Sequence, residues 1–213
     1  MQEYQSKFVE FVLANKVLCF GDFTLKSGRK SPYFFNSGLF NTGSTLAQLG
    51  HYYACAIQDS GLDYDMLFGL AYKGIPLTSA VAIALKQHFD RDLPVSFNRK
   101  ETKDHGEGGM LFGAKPQGNV LIIDDVITAG TSVNIAIDII KQAGATPAGV
   151  AVAMDRQECG ERGLSAVQEL EQRHEIRVIS IITLDNIIEY LNRTPNMAEN
   201  LEKIRQYRKQ YGK

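Results

Sequence analysis

Five short, largely apolar runs punctuate an otherwise mixed chain: Met66–Phe68, Val95–Phe97, Val120–Ile123, Val150–Met154 and Val178–Ile182. They are continuous rather than alternating, the pattern of strands covered on both faces. Helical spacing of apolar residues fills residues 75–89, 131–143 and 163–175 between them. Strand and helix thus alternate, which predicts βαβ units: an α/β fold with a parallel sheet of about five strands flanked by helices. The two ends read differently. Residues 3–14 form an amphipathic helix through Phe8, Phe11 and Val12, and Val17–Leu25 and Tyr33–Phe35 then flank a basic, Gly-containing turn. Further helical stretches near 185–192 and 197–209 end the sequence. One domain over 1–213 is expected, with a small cap or hood mainly from residues 1–40, a core at about 60–185 and C-terminal helices over 185–211. The end pieces are expected to cover the ligand edge of the sheet.

Composition narrows the classes. A chain of 213 residues can bury a good core, and a net charge of −1 argues against a nucleic-acid footprint, which needs a basic surplus. Three cysteines, Cys19, Cys55 and Cys159, are odd in number and form no C-x-x-C, so neither a disulfide frame nor a zinc site is suggested. The N-terminus lacks the basic-then-apolar order of a signal peptide, and no apolar run is long enough to span a bilayer. The expectation is a cytoplasmic protein with no membrane or nucleic-acid partner.

Candidate chemistry concentrates in Val120–Ser132. A buried strand ends in the adjacent carboxylates Asp124 and Asp125, and Val126, Ile127, Thr128, Ala129 and Gly130 lead to a helix beginning at about Thr131 or Ser132. Open N–H groups in a first helical turn, with Thr and Ser hydroxyls, can hold a phosphate dianion. The neighbouring carboxylates can accept hydrogen bonds from vicinal ribose hydroxyls. Taken singly, Thr-Ser is also an ordinary helix cap and a terminal Asp an ordinary solvated strand end. Together they sit at the carboxyl edge, where open α/β sheets bind ligands. No Walker A loop or strand-linked G-x-G-x-x-G occurs.

This run resembles the phosphoribosyl pyrophosphate motif of the type I phosphoribosyltransferases. The resemblance implies that Asp124 and Asp125 meet the ribose hydroxyls and that the loop through Ser132 takes the 5-phosphate. The second loop, Gly69-Leu70-Ala71-Tyr72-Lys73-Gly74, follows another strand at the same edge. By resemblance its amides, with Tyr72 and Lys73, hold the pyrophosphate, although Leu70 stands where close relatives usually carry Pro. Asn98–Gly109 is polar throughout and rich in glycine, which reads either as a solvated loop or as a mobile lid. Its Arg-Lys-Glu-x-Lys-Asp-His-Gly run matches the orotate phosphoribosyltransferases, which the chain resembles from end to end.

Several assignments rest on that resemblance. The lid would bring Arg99, Lys100, Lys103 and His105 to the departing diphosphate, reaching the neighbouring subunit's site in a homodimer. Lys26 would lie beside phosphoribosyl pyrophosphate, while Phe34, Phe35, Thr128 and Arg156 would contact orotate. The implied reaction joins orotate N1 to C1 of phosphoribosyl pyrophosphate, giving orotidine 5′-monophosphate and pyrophosphate in pyrimidine (UMP) biosynthesis. Catalysis would fall to Lys103, Asp124, Asp125, Lys73, His105 and Arg99 without a covalent nucleophile. Mg²⁺ is the implied cofactor, held mainly by substrate oxygens rather than by protein ligands. A receiver-type signalling domain shares the acidic pair, but there it would end the first strand. A phosphoribosyl pyrophosphate-sensing regulator is disfavoured by the near-neutral charge, and a purine acceptor by Phe34, Phe35 and Arg156.

Overall fold

The computed structural model describes residues 1–25, 27–103, 109–127, 130–160 and 163–212, apart from the side chains of residues 102, 103 and 109. A six-stranded sheet forms the centre. Its strands are β3 (Met66–Gly69), β4 (Val95–Lys103), β5 (Gly109–Gly113), β6 (Asn119–Ile123), β7 (Thr146–Asp155) and β8 (Arg177–Thr183), in the spatial order β5-β4-β3-β6-β7-β8. Each of the five apolar runs lies in a strand, and those five strands pair in parallel. The sixth, β5, is antiparallel to β4, so the sheet is mixed where an all-parallel one was expected.

That difference has a physical cause. Beyond Phe97, β4 leaves β3 and pairs only with β5, with Asn98 opposite Leu111 and Lys103 opposite Gly109. Residues 99–103 are therefore strand rather than the loop their polarity suggested. A ribbon held by its own backbone hydrogen bonds needs no apolar stripe, so hydropathy does not mark it. The middle of the expected lid, Asp104–Gly108, lies outside the described residues.

Helices cover both faces. On one lie α1 (Glu3–Ala14), α2 (Gly43–Ser60), α3 (Gly74–Phe89), α6 (Leu184–Asn192) and α7 (Ala198–Tyr211). Their apolar residues join Leu67, Leu121 and Ile123 of the strands in one core. The opposite face packs Met66, Phe68, Val120 and Ile122 against α4 (Thr131–Gln142) and α5 (Ala166–His174). Successive strand residues thus enter opposite cores, which explains the unbroken apolar runs. The sequence reading gave no bounds for α2, although Thr42 and Gly61 bracket it as N-cap and left-handed C-cap.

The N-terminal strands β1 (Leu18–Thr24) and β2 (Lys30–Phe35) form a separate antiparallel pair. α7 closes on this ribbon: the Tyr207 ring meets Tyr33 of β2 edge-on at 5.9 Å. The first and last parts of the chain therefore assemble together.

Candidate active site

Chain direction across the sheet reverses between β3 and β6. From β3 the path steps outward to β4, and from β6 it steps the other way to β7 and β8. Crevices form at such a reversal, outside the carboxyl ends of the strands. Gly69 and Ile123 are register partners there, so the loops that follow them emerge side by side. The two segments picked out from the sequence are thereby brought together.

The β3–α3 loop is tight because it has no room for side chains at its base. A Cβ on Gly69 would lie 2.5 Å from the Gly74 carbonyl oxygen and 2.5 Å from Thr78 Oγ1. The peptide Ala71–Tyr72 is cis. Asn98, buried at the point where β4 leaves the sheet, accepts the Ala71 N–H on Oδ1 at 2.7 Å. Lys100 Nζ sits 4.7 Å from the centre of the exposed Tyr72 ring. The loop and the β4–β5 arm are thus tied at two points.

β6 delivers the acidic pair, and the backbone ladder to β7 continues beneath it. Asp124 N donates to Ala151 O at 3.0 Å, and Asp125 O accepts from Ala153 N at 2.9 Å. Tyr53 of α2 adds a hydroxyl hydrogen bond to Asp124 O at 2.7 Å. The carboxylates have different partners. Asp124 accepts from Ser132 Oγ and from the Asp125 amide, both at 2.8 Å. Asp125 accepts from Ser37 Oγ at 2.5 Å, Lys73 Nζ at 2.9 Å and the Val126 amide at 2.8 Å.

Those partners move the two acids apart. Burial raises the Asp124 pKa, and its hydrogen bonds only partly offset this. Burial acts the same way on Asp125, but Ser37 and Lys73 outweigh it and hold its pKa below the usual value. A carboxylate depressed in the folded state stabilises the fold above its unfolded pKa, and that gain disappears as pH falls through the folded value. Asp125 therefore contributes to acid denaturation below about pH 4, and Asp124 contributes with the opposite sign as pH rises through its raised value. Asp125→Asn is expected to flatten the fall in melting temperature on acidification, whereas Asp124→Asn steepens it; thermal melts across that range check both.

Gly130 opens α4 in the left-handed conformation at φ 70°, where a Cβ would also press on Leu170 at 3.2 Å. No side chain caps this helix or α3, whereas α2, α5 and α6 are closed by capping boxes at Thr42, Ser165 and Thr183. Among the described residues, α4 thus opens at the reversal with no side-chain cap on its first N–H groups, as an anion site requires, whereas the first amides of α3 are taken within the loop, Gly74 N by Leu70 O at 2.9 Å and Ile75 N by Tyr72 O at 3.3 Å. Ser132 donates its hydroxyl to Asp124 at 2.8 Å, which ties the first turn of α4 to the acidic pair. Thr131 is exposed, while Thr128 and Ala129 lie outside the described residues.

The other predicted contacts separate. Phe34 is exposed and stacks on Phe23 at 5.5 Å, so one face of a planar surface is available. Phe35, its neighbour on the strand, points into the core against Phe40. Only one ring of the pair can therefore face a base; Phe35 can offer its backbone. Arg156 follows β7 and is engaged by Glu158, with Nε and Nη2 at 2.7 and 2.6 Å from Oε1. Arg99 turns to the arm itself, donating to Leu111 O at 2.7 Å and lying over Phe112. Lys26, the Lys103 side chain and His105 lie outside the described residues.

Ser37, Tyr53, Asn98 and Glu158 were missed in the sequence. Glu158 alone had a usable signal, an acid two residues after Arg156. Asn98→Ala should release the Ala71 amide and raise about three- to tenfold the KM for the substrate that this loop holds, the scale of one hydrogen bond to a binding loop. Steady-state kinetics with each substrate varied would show it, and an unchanged KM would free Asn98 of any role in holding the loop.

Comparison with known proteins agrees with this geometry. The phosphoribosyl transferase domain family matches residues 39–184. Orotate phosphoribosyltransferase of Salmonella newport (strain SL254) is 57% identical over 212 residues, spanning 100% of both chains. The crystal structure of orotate phosphoribosyltransferase from Francisella tularensis matches with a TM-score of 0.88 at 44% identity, over 97% of this chain and 100% of that one. The enzyme from Aeropyrum pernix matches with a TM-score of 0.66 at 26% identity, over 87% and 98%. With the acidic pair, the uncapped helix and the pyrophosphate-type loop meeting at one sheet edge, the chain belongs to the phosphoribosyltransferase family, in its orotate phosphoribosyltransferase branch.

Proposed function

We propose that this chain transfers the 5-phosphoribosyl group of phosphoribosyl pyrophosphate to N1 of orotate, releasing pyrophosphate and serving UMP biosynthesis. The observation that carries the reading is the convergence of Asp124, Asp125, Lys73 and the open N-terminus of α4 at the β3/β6 reversal. The α4 amides take the 5-phosphate, and the carboxylates orient the ribose and favour the positive charge that develops as the leaving group departs. Lys73 and the loop amides receive the diphosphate, joined by Arg99, Lys100, Lys103 and His105 from the arm. Phe34 packs on the base, with Thr128 beside it, and Arg156 reads its carboxylate and carbonyl edge. Lys26 lies beside the donor.

Among the described residues, no three His, Cys, Asp or Glu side chains group as a metal cage. Two adjacent carboxylates at the edge do fit an ion held largely by phosphate and ribose oxygens, which is how Mg²⁺ commonly binds such substrates. When bound, Mg²⁺ would neutralise charge on the diphosphate. We read the protein as a homodimer whose arm reaches its partner's site. Exposed apolar side chains at Tyr72, Ile83 and Met110, on the loop, α3 and β5, support that reading. The cytoplasm is the compartment we propose, a reading supported by the three free thiols Cys19, Cys55 and Cys159.

The decisive assay follows loss of orotate absorbance with phosphoribosyl pyrophosphate and Mg²⁺, beside hypoxanthine, adenine and uracil. Turnover with orotate alone is expected, and it should stop when a chelator removes the divalent ion. Turnover with a purine and none with orotate would overturn the acceptor assignment.

A further inference from the structure

Arg156 is not a free guanidinium waiting for a ligand. Its Nε and Nη2 both converge on Glu158 Oε1, at 2.7 and 2.6 Å, and Nη2 also donates to Ser31 Oγ of β2 at 3.2 Å. The guanidinium carbon stands 4.2 Å from the centre of the Tyr33 ring, a cation–π contact. The same Oε1 accepts from Tyr207 Oη of α7 at 2.8 Å, with Tyr33 Oη at 3.4 Å. Oε2 faces Arg29 Nη1 at 3.6 Å, and Arg29 also donates from Nη2 to Cys159 O at 2.9 Å. One carboxylate thus gathers groups from the β1–β2 turn, β2, the segment after β7, and α7.

Its burial rules out an ordinary surface pair. Side-chain exposure is 11% for Arg156 and 16% for Glu158. Removing one member of such a pair leaves the other charge poorly solvated and free to reorient, a large effect compared with the small contribution of an exposed pair. The charge count matters too. Two guanidiniums share one carboxylate, so the triad of Arg29, Arg156 and Glu158 carries a net +1. Asp155, one residue before Arg156, also lies within electrostatic reach of Glu158, so what the cluster offers an acceptor's carboxylate is the Arg156 guanidinium itself.

We infer that Glu158 is a positioning residue for the acceptor: it sets the plane of the Arg156 guanidinium, with Tyr207 tying that setting to the C-terminal helix. The inference rests on the proposed role of Arg156 toward orotate. Glu158 itself touches no substrate in this scheme. It acts by keeping Arg156 in one rotamer, so that the ligand's carboxylate meets a preset donor edge rather than ordering a flexible side chain on arrival.

The test is steady-state kinetics with each substrate varied, on Glu158→Ala, Glu158→Gln, Tyr207→Phe, Arg156→Ala and the double variant Arg156→Ala/Glu158→Ala, with a thermal melt of each. Glu158→Ala should raise the KM for orotate about tenfold or more and leave that for phosphoribosyl pyrophosphate within about twofold, a split that general loosening of the fold would not give. Glu158→Gln keeps an acceptor oxygen and should fall between it and the parent protein; it also serves if the alanine variant folds poorly. Tyr207→Phe should raise the orotate KM about threefold. The double variant should be no worse for orotate than Arg156→Ala, because Glu158 acts through Arg156. If Arg156→Ala raises the orotate KM while Glu158→Ala and Glu158→Gln do not, or if the effects multiply in the double variant, the positioning role is overturned and the role of Arg156 stands. If Arg156→Ala leaves the orotate KM unchanged, both fall.

Discussion

Replacing Lys103 with alanine is expected to lower kcat by roughly 10²–10³, the usual loss for one donor aimed at developing negative charge. Melting temperature should barely move. Lys103 is the last residue of β4, and from Asn98 onward that strand is paired only with β5. A two-stranded ribbon contributes little to the stability of a domain whose core lies elsewhere, so a loss of activity here reports chemistry rather than unfolding. A change smaller than threefold would remove Lys103 from the reaction. The same variant also tests whether sites are shared. Mixed with protein carrying both Asp124→Asn and Asp125→Asn, it should regain activity through hybrid dimers, each with one site that has an intact arm and an intact cradle. Subunit exchange without recovery would place the arm in its own subunit's site.

A loss of similar size, roughly 10² or more in kcat, is expected for Asp125→Asn, because it removes a charge placed where the ribose becomes positive. Asparagine keeps the shape and the acceptor for Ser37 and Val126, so the change is close to a pure charge deletion. Lys73, the ionic partner at 2.9 Å, is 71% exposed. Losing its partner therefore costs the fold little, as for other exposed pairs. Kinetics and a melt on the same preparation separate the two effects. An Asp125→Asn enzyme with kcat within threefold of the parent would mean that the pair only shapes the loop. Asp124, which accepts from Ser132, should show a comparable loss when replaced by Asn.

The parallel strands were legible because burial on both faces leaves an unbroken apolar run, and Val120–Ile123 shows this most clearly. The place of the acidic pair Asp124 and Asp125 was legible for a related reason: charge at the end of such a run has to leave the sheet at its carboxyl edge. What sequence could not show were contacts made across long stretches of chain. Ser37 reaches Asp125 from 88 positions away and Tyr53 reaches Asp124 from 71, and neither has a local pattern to mark it. The β4–β5 arm was read as a loop because an edge ribbon satisfies its backbone without burying side chains. Phe34 and Phe35 were treated as a pair, but strand alternation leaves one exposed and sends the other to the core. For Arg156 the residue type was readable, but its engagement by Glu158 depends on the turn after β7, where Gln157 takes a positive φ of 51°.

The closing of α7 over the β1–β2 ribbon has a consequence for how specificity can evolve. The family-wide match spans residues 39–184, which hold the acidic pair, Lys73 and the opening of α4. Phe34 and the Tyr207 support for Glu158 fall outside it, one before and one after. The proposed base side is thus divided: Thr128, Arg156 and Glu158 lie inside the matched stretch, while Phe34 and Tyr207 come from the two ends of the chain, which meet in space. Changing base preference therefore asks for both ends to be rewritten together with Arg156 and Glu158 in the inherited middle. Grafting only one end should give a protein that still takes up the sugar phosphate but has no well-formed place for any base.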